Sequence, residues 1–325
     1  MGINEEPTQL KPNDYASDQE VRWCPGCGDY AILNAVKKSL ADRQAKKENT
    51  VFVSGIGCSS RLPYYMDTYG FHTIHGRAPA FATGIKLTNP ELDVWIITGD
   101  GDALSIGGNH FIHLLRKNLN CQILLFNNEI YGLTKGQASP ASRTGTVSPS
   151  TPSGSLESPM SACELALSSG ATFVARGVDT AIKQLVPTLS KAQEHVGTSL
   201  VEIYQNCIVY NDDVFKSFTD KSVAIDKQIH LENGKPMLFG ENNTKGLSIN
   251  KDYSSLEILD LEKNPEELSK VLIHDYSNKT IASLLTQMDQ NVMPVALGVI
   301  YCIEKPTLDT YYSKNINNHN NDIGK

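Results

Sequence analysis

No apolar run in the sequence is long enough to span a bilayer, and no signal pattern stands at its start. A helical membrane protein is therefore excluded, and the expected location is the cytoplasm. An excess of positive charge is missing as well. The net charge of −7 argues against a broad electrostatic affinity for nucleic acid or an anionic membrane. There are no internal repeats, which excludes a repeat architecture. Cysteine is sparse: seven in 325 residues do not make a disulfide scaffold, and in a reducing compartment they suggest metal chemistry instead. What remains is ordinary for a globular chain, with 40% hydrophobic and 20% charged residues. The length predicts one large α/β domain with an appendage. The polar start, Met1 to Gln19 with Pro7 and Pro12, reads as an extended arm, giving an N-terminal segment over 1–22.

The most informative stretch is Gly99 to Gln137. Val94 to Thr98 is a short apolar run of strand character that stops at Gly99-Asp100-Gly101-Asp102. Leu104, Phe111, Leu114 and Leu115 then recur at helical spacing, and Gln122 to Phe126 is a second strand. Strand, turn, helix and strand make a βαβ unit of a parallel sheet, and the expected fold is a doubly wound α/β sheet. Polar residues just past the carboxyl ends of such strands sit where ligands bind. Asp100 follows the first strand, and Asn127 and Asn128 follow the second. An acid and an amide oxygen beside glycine turns suit Mg²⁺ with a phosphate in its remaining positions. Gly99 and Gly101 let backbone N–H groups approach a diphosphate. Each piece alone also reads as a plain tight turn or solvated loop. Together, Gly-Asp-Gly, 25 intervening residues and Asn-Asn resemble the diphosphate-and-Mg²⁺ motif of thiamine diphosphate enzymes. That resemblance implies that Asp100, the Asn128 side chain and the Ile130 carbonyl hold Mg²⁺.

Four cysteines fall in loops that a parallel sheet can gather at one edge. Cys24-Pro25-Gly26-Cys27 is a tight turn pointing two thiols at one centre. It reads as half a zinc site, half an iron–sulfur site or a thioredoxin-like redox pair. A helix follows it, with Ile32, Val36 and Leu40 on one face, but no strand precedes it, which counts against the redox pair. Val51 to Ser54 is a buried strand opening into Gly55-Ile56-Gly57-Cys58-Ser59-Ser60-Arg61. Cys207 follows the strand Ser199 to Ile203. Cys121, Cys163 and Cys302 lie in strand- or helix-like contexts and default to buried, inert thiols.

The order of Cys24-Pro-Gly-Cys27-Gly, Gly55-Ile-Gly-Cys58-Ser, His72-Thr-Ile-His75-Gly-Arg77, the Gly-Asp-Gly-Asp block and Tyr131-Gly-Leu-Thr-Lys-Gly-Gln137 closely resembles the β subunit of 2-oxoacid:ferredoxin oxidoreductases. The likeness is dense from Trp23 to Asp212 and thin beyond. It implies a thiamine diphosphate-binding sheet over 23–212 and a C-terminal extension over 213–325. It further implies that Cys24, Cys27, Cys58 and Cys207 carry one 4Fe–4S cluster. Ile56, Gly57, Cys58, Ser59, Gly132 and Leu133 would line thiamine diphosphate, with Gly101 and Asp102 at its diphosphate end. His75, in a glycine-containing loop beside Arg77, is a further cofactor candidate, while His72, His110 and His113 read as structural. Arg61 is the candidate for holding a substrate carboxylate, because a guanidinium grips one bidentately. Lys135 is a second substrate candidate.

The implied reaction is oxidative decarboxylation of a 2-oxoacid, best 2-oxoglutarate, with coenzyme A to acyl-CoA and CO₂, reducing ferredoxin. The family takes the glutamate that activates the cofactor from an α subunit, so the expected working form is an α/β heteromer. The rivals are a non-redox thiamine decarboxylase or synthase with a structural metal, and a zinc-bearing nucleotide-binding module. Downstream, Ser139 to Ser158 is expected to be a surface loop facing solvent. Ala162 to Leu167 and Thr180 to Glu194 read as helices, and Thr172 to Ala175 as a strand. Beyond Asp212, Glu266 to Ile273 and Thr280 to Met288 look helical and Pro294 to Tyr301 looks like a strand. The Asn-rich end, 315–325, is expected to be disordered.

Overall fold

The computed structural model describes residues 9–323, with side chains through residue 315. An eight-stranded sheet runs through it. Its strands are β1 (Thr50–Ser54), β2 (Tyr69–His72), β3 (Asp93–Gly99), β4 (Cys121–Asn127), β7 (Phe173–Val178), β8 (Thr198–Tyr204), β9 (Gln228–Leu231) and β13 (Val295–Cys302). A small hairpin, β5 (Ile130–Tyr131) and β6 (Gln137–Ala138), follows β4, and β10 (Leu238–Phe239), β11 (Lys245–Ile249) and β12 (Leu256–Asp260) form a separate antiparallel sheet. The order across the main sheet is β2-β1-β3-β4-β8-β7-β13-β9. Neighbours from β2 to β7 are parallel, β13 runs antiparallel to β7, and β9 pairs parallel with β13.

The central strands β1, β4, β7 and β8 are buried along their whole length, as expected when helices cover both faces of a parallel sheet. The pleat divides the core in two. Val51, Val53, Ile96, Ile123 and Leu125 face one helical layer with Phe111, Leu114 and Leu115, from α4 (Gly108–Lys117). Phe52, Trp95, Ile97, Leu124 and Phe126 face the other, with Ile32, Val36 and Leu40 from α1 (Asp29–Asp42) and Leu185 and Leu189 from α6 (Ile182–Glu194). Each such side chain contributes roughly 1.5–3 kcal/mol by leaving water.

The register sets the site. Ser54 pairs with Ile97, Gly99 with Phe126 and Asn127 with Tyr204. The loops after β1, β3, β4 and β8 therefore leave the sheet side by side at one rim.

Several expectations change. The helix after Gly-Asp-Gly-Asp is two helices, α3 (Asp100–Leu104) and α4, because the chain breaks where Gly107 presses on Gly76; a Cβ on Gly76 would stand 2.5 Å from the Gly107 nitrogen. The N-terminal segment is docked, not free. Tyr15, at the end of a 3₁₀ turn (Pro12–Tyr15), is fully buried and its hydroxyl donates to the Ala45 carbonyl at 2.6 Å. Residues 1–8 of the expected arm lie outside the described residues. The segment after Asp212 does not merely pack on the core: β13 and β9 complete the main sheet. Of its two expected helices, Glu266 to Ile273 is a 3₁₀ turn (Pro265–Lys270), and the second is a helix over Lys279–Thr286. The Asn-rich end, expected to be disordered, continues a helix over Leu308–Ile323, whose first turn is anchored where Asp309 accepts the Asn120 N–H at 3.0 Å. Gly324 and Lys325 lie outside the described residues. Among the described residues no helix is long and apolar enough to cross a membrane.

Candidate functional site

The rim is held together by Asp102. Its side chain is only 2% exposed, and its carboxylate accepts from the Ile56 N–H (3.1 Å), the Gly76 N–H (2.7 Å), the Thr98 hydroxyl (2.7 Å) and His75 Nδ1. Those four donors come from the loops after β1 and β2 and from β3. Gly55 is required beside it, since a Cβ there would lie 1.9 Å from Asp102 Oδ2. The carboxylate expected at the diphosphate end is thus spent on the protein itself. His75 joins the same cluster through Nδ1, which leaves Nε2 for other work.

Asp100 differs. It is equally buried, yet the side chain that donates to it is a single hydroxyl, Ser139 Oγ at 2.5 Å. Burial pushes its carboxyl up to about 7, against the lowering pull of Ser139. A buried acid short of cationic neighbours is costly unless an ion compensates it. Ser139 is a residue the sequence reading assigned to solvent; nothing in its Ser/Thr/Pro/Gly-rich surroundings marks it. Its neighbour Ser142 is also buried and donates to the Glu129 carbonyl at 2.5 Å.

The two asparagines divide the work. Asn127 is buried, donates to Glu202 at 2.9 Å and accepts the Glu129 N–H. Asn128 is half-buried; its amide nitrogen donates to Gln205 at 2.9 Å and its oxygen takes the Ile130 N–H at 3.2 Å. These bonds aim the Asn128–Ile130 turn, and the β5–β6 hairpin fixes Ile130 beside it. Gly101 is packed under the Tyr131 ring, which a Cβ would meet at 2.1 Å, and the Tyr131 hydroxyl donates to the Gly101 carbonyl.

Cys24, Cys27, Cys58 and Cys207 border one cavity of about 200 Å³, shared with Arg22, Arg61, Asn128, Gly132, Leu133 and Gln205. The Cys-x-x-Cys turn closes with the Cys27 N–H on the Cys24 carbonyl at 3.0 Å, and Gly26 takes φ +85°, a conformation that favours glycine. Gln205 donates to Cys27 Sγ at 3.3 Å, and a Cβ on Gly132 would stand 3.4 Å from Cys207 Sγ and 3.8 Å from Cys58 Sγ. Burial, and then Asp29, push the Cys27 thiol well up and the Cys58 thiol to about 11. Asp29 is itself buried with neither carboxylate oxygen hydrogen-bonded, a feature that the Cys-x-x-Cys motif did not flag.

Arg61 lies on a 3₁₀ segment (Ser59–Tyr65) between that cavity and a second one of about 540 Å³, which Ile56, Gly57, Tyr64, His72 and Leu133 also line. Gly57 takes φ +128° there. His72, read from sequence as structural, borders this cavity; its Nδ1 lies 2.9 Å from the Ser60 carbonyl. Lys135 borders neither cavity. It is exposed at the tip of the β5–β6 turn with φ +77°, while Leu133, two residues earlier, reaches both.

A parallel sheet whose rim offers a buried lone acid, an aimed asparagine and glycine clearances defines the diphosphate-binding half of a thiamine enzyme. The family model described as the thiamine pyrophosphate enzyme C-terminal TPP binding domain matches residues 55–203. Among curated relatives, the 2-oxoglutarate oxidoreductase subunit KorB of Mycobacterium tuberculosis is 48% identical over 311 residues, 95% of this chain and 82% of the relative. The 2-oxoglutarate synthase subunit KorB of Methanocaldococcus jannaschii is 38% identical over 77% of this chain and 92% of its own length. A solved 2-oxoglutarate:ferredoxin oxidoreductase from Magnetococcus marinus, with 2-oxoglutarate, coenzyme A and succinyl-CoA bound, superposes with a TM-score of 0.77 at 33% identity, covering 97% of this chain and 93% of that one. The chain belongs to the family of 2-oxoglutarate/2-oxoacid:ferredoxin oxidoreductase β subunits.

Proposed function

We propose that the chain is the β subunit that binds thiamine diphosphate, Mg²⁺ and one 4Fe–4S cluster in an oxidoreductase that converts 2-oxoglutarate, coenzyme A and oxidised ferredoxin to an acyl-CoA, CO₂ and reduced ferredoxin. The observation that carries this reading is the convergence of four predicted cluster ligands on one cavity that also contains Asn128, Gly132 and Arg61. The donor sets fit the groups. Four thiols border one cavity, and a cube of iron and sulfide takes one thiolate per corner.

Thiamine diphosphate, when bound, supplies a nucleophilic carbon and an electron sink for decarboxylating a 2-oxoacid. The chain's own residues do the rest. Asp100, the Asn128 oxygen and the Ile130 carbonyl hold the cation. Gly101 lets the Tyr131 ring pack against the turn after Asp100, and Gly132 keeps a side chain away from the Cys58 and Cys207 sulfurs. Ile56 and Leu133 keep the reacting end dry. Arg61 grips the far carboxylate of a dicarboxylic substrate, which separates 2-oxoglutarate from pyruvate. Cys27 and Cys58 would hold the cluster as thiolates, without the protons that burial otherwise retains. The cofactor's activating glutamate belongs to the α subunit, so the working enzyme is a cytoplasmic heteromer and this chain alone is inactive.

The test is anaerobic purification of the chain with its α subunit. Brown protein whose broad visible absorbance bleaches on reduction, with four irons per chain by analogy with the family's cluster and thiamine diphosphate retained, is expected. Cys207→Ala should lose the colour. A colourless protein containing zinc, or turnover of 2-oxoglutarate and dye by the chain alone, contradicts the proposal.

A further inference from the structure

At the opposite end of the sheet, where the parallel strands begin, lies a cleft of about 1030 Å³ bordered by Phe173, His195, Tyr276, Cys302 and Ile303, with Lys191 and Lys305 among its residues. Cys302 ends β13 and His195 follows α6. The thiol sulfur stands 3.7 Å from His195 Nδ1. His195 is 7% exposed, so its ring has little freedom to seek other partners.

The hydrogen bonds around Asn118 fix which way the protons run. Asn118 donates through Nδ2 to the Lys305 and Pro306 carbonyls, at 3.2 and 3.1 Å, so its Oδ1 must accept. It accepts the Thr198 N–H (3.0 Å) and the Thr172 hydroxyl (2.7 Å). Thr172 has then used its one proton and can only accept from its other partner, His195 Nε2, at 2.8 Å. The imidazole is therefore the Nε2–H tautomer, and Nδ1 presents a lone pair to the Cys302 S–H. A nucleophile, a base in contact with it and a third group that orients the base are the parts of an activated thiol.

The other six cysteines are differently placed. Cys24, Cys27, Cys58 and Cys207 line the candidate cluster cavity, and Cys121 and Cys163 are fully buried. Cys302 alone opens on a cleft away from the site. Lys191 and Lys305 are exposed there, while Glu194 is engaged by Arg43. Glu304 also faces the cleft.

We propose that Cys302 is a second reactive site, a thiol that undergoes exchange with a low-molecular-weight disulfide carrying negative charge, with His195 as its base. Cys302 gives its proton to His195 Nδ1, and the thiolate attacks one sulfur of the disulfide. The S–S bond breaks, the departing thiolate takes the proton back from His195, and the protein is left as a mixed disulfide. The protein thiol is oxidised and the small disulfide is reduced. Burial and Glu304 raise the resting thiol, and burial lowers His195, so the pair is neutral at rest and the reaction depends on the histidine.

The test uses the intact protein isolated with its cofactors and incubated anaerobically with oxidised glutathione. One glutathionyl group on Cys302, identified by intact mass and peptide mapping and absent in Cys302→Ser, is expected. His195→Gln, which keeps a donor toward Thr172 but removes the base, should slow the reaction at least tenfold. Thr172→Val, which releases the tautomer, should also slow it. Lys305→Gln should slow oxidised glutathione more than the uncharged bis(2-hydroxyethyl) disulfide. Modification at other cysteines only, modification of Cys302 only after denaturation, or an unchanged rate in a folded His195→Gln protein overturns the proposal. If that variant does not fold, the comparison of native with denatured wild type still decides. An equal effect of Lys305→Gln on both disulfides overturns the preference for a charged partner.

Discussion

Replacing Asp102 tests whether the rim is a built frame or a set of independent loops. One carboxylate oxygen takes the Ile56 and Gly76 N–H groups and His75, and the other takes the Thr98 hydroxyl. Hydrogen bonds to a charged group are worth roughly 1.5–3 kcal/mol each, against about 0.5–1.5 for neutral pairs. Asparagine can keep its oxygen toward the three donors, and Thr98, already 3.3 Å from the Gly99 carbonyl, can turn its proton there and accept from the new amide. Asp102→Asn then loses only the charge on three bonds, about 3 kcal/mol in all. Asp102→Ala strands the Ile56 and Gly76 N–H groups, at roughly 1–3 kcal/mol each, and loses the charge-assisted bond from His75, roughly 1.5–3 kcal/mol, or about 6 kcal/mol together. That is a large part of the whole stability expected of a folded domain, about 5–15 kcal/mol. Denaturant unfolding should show a lowered midpoint with an unchanged slope for the asparagine variant, and little folded protein for the alanine variant. Both losses should appear with and without thiamine diphosphate, because the partners are protein groups. An alanine variant within about 1 kcal/mol of wild type in the absence of cofactor would refute the frame.

Arg61→Ala should lower kcat/KM for 2-oxoglutarate by about 10- to 100-fold, the worth of a charge-assisted carboxylate contact, and leave pyruvate nearly unchanged; equal losses in steady-state assays with both substrates would remove Arg61 from substrate recognition. Arg176→Met should cost about 3–5 kcal/mol, because it leaves Glu202 buried without its 2.9 Å partner, and Arg176→Met with Glu202→Leu should recover part of that in chemical denaturation. Burial lowers the pKa values of His195 and His274 from the usual 6.5. The unfolded chain then binds more protons than the folded one below neutrality. Stability should therefore fall as pH drops through 6.5 toward the folded values, read as a declining melting temperature, and His274→Gln should flatten that slope.

The parts of the fold written in contiguous residues were legible. Val94 to Thr98 and Gln122 to Phe126 are apolar runs closed by glycine and asparagine, and they appear as β3 and β4 with one residue added at each end. Ile32, Val36 and Leu40 mark a helix that is fully buried on that face. The parts that depend on distant partners were not. β2 is exposed at every position and carries no apolar pattern to detect. β13 reads as a strand by composition, but its place beside β7 and its antiparallel direction follow from pairing across more than a hundred residues. In the site, the gathering of Cys24, Cys27, Cys58 and Cys207 on one cavity was legible because each cysteine stands in a loop at the carboxyl end of a strand or in the tight Cys-x-x-Cys turn. Ser139 reaches Asp100 across 39 positions through a loop without periodicity. The donors on the Asp102 carboxylate come from residues 4 to 46 positions away, and its own neighbours in sequence say nothing of them.

The placement of β13 between β7 and β9 bears on how the polypeptide is made. A ribosome delivers β7 long before it delivers β13, so for over a hundred residues of synthesis the nascent sheet has an unpaired hydrogen-bonding border. Until the last strand threads into its slot, that border can recruit a stray extended peptide. Closure of the sheet thereby waits on a segment translated more than a hundred residues after β7.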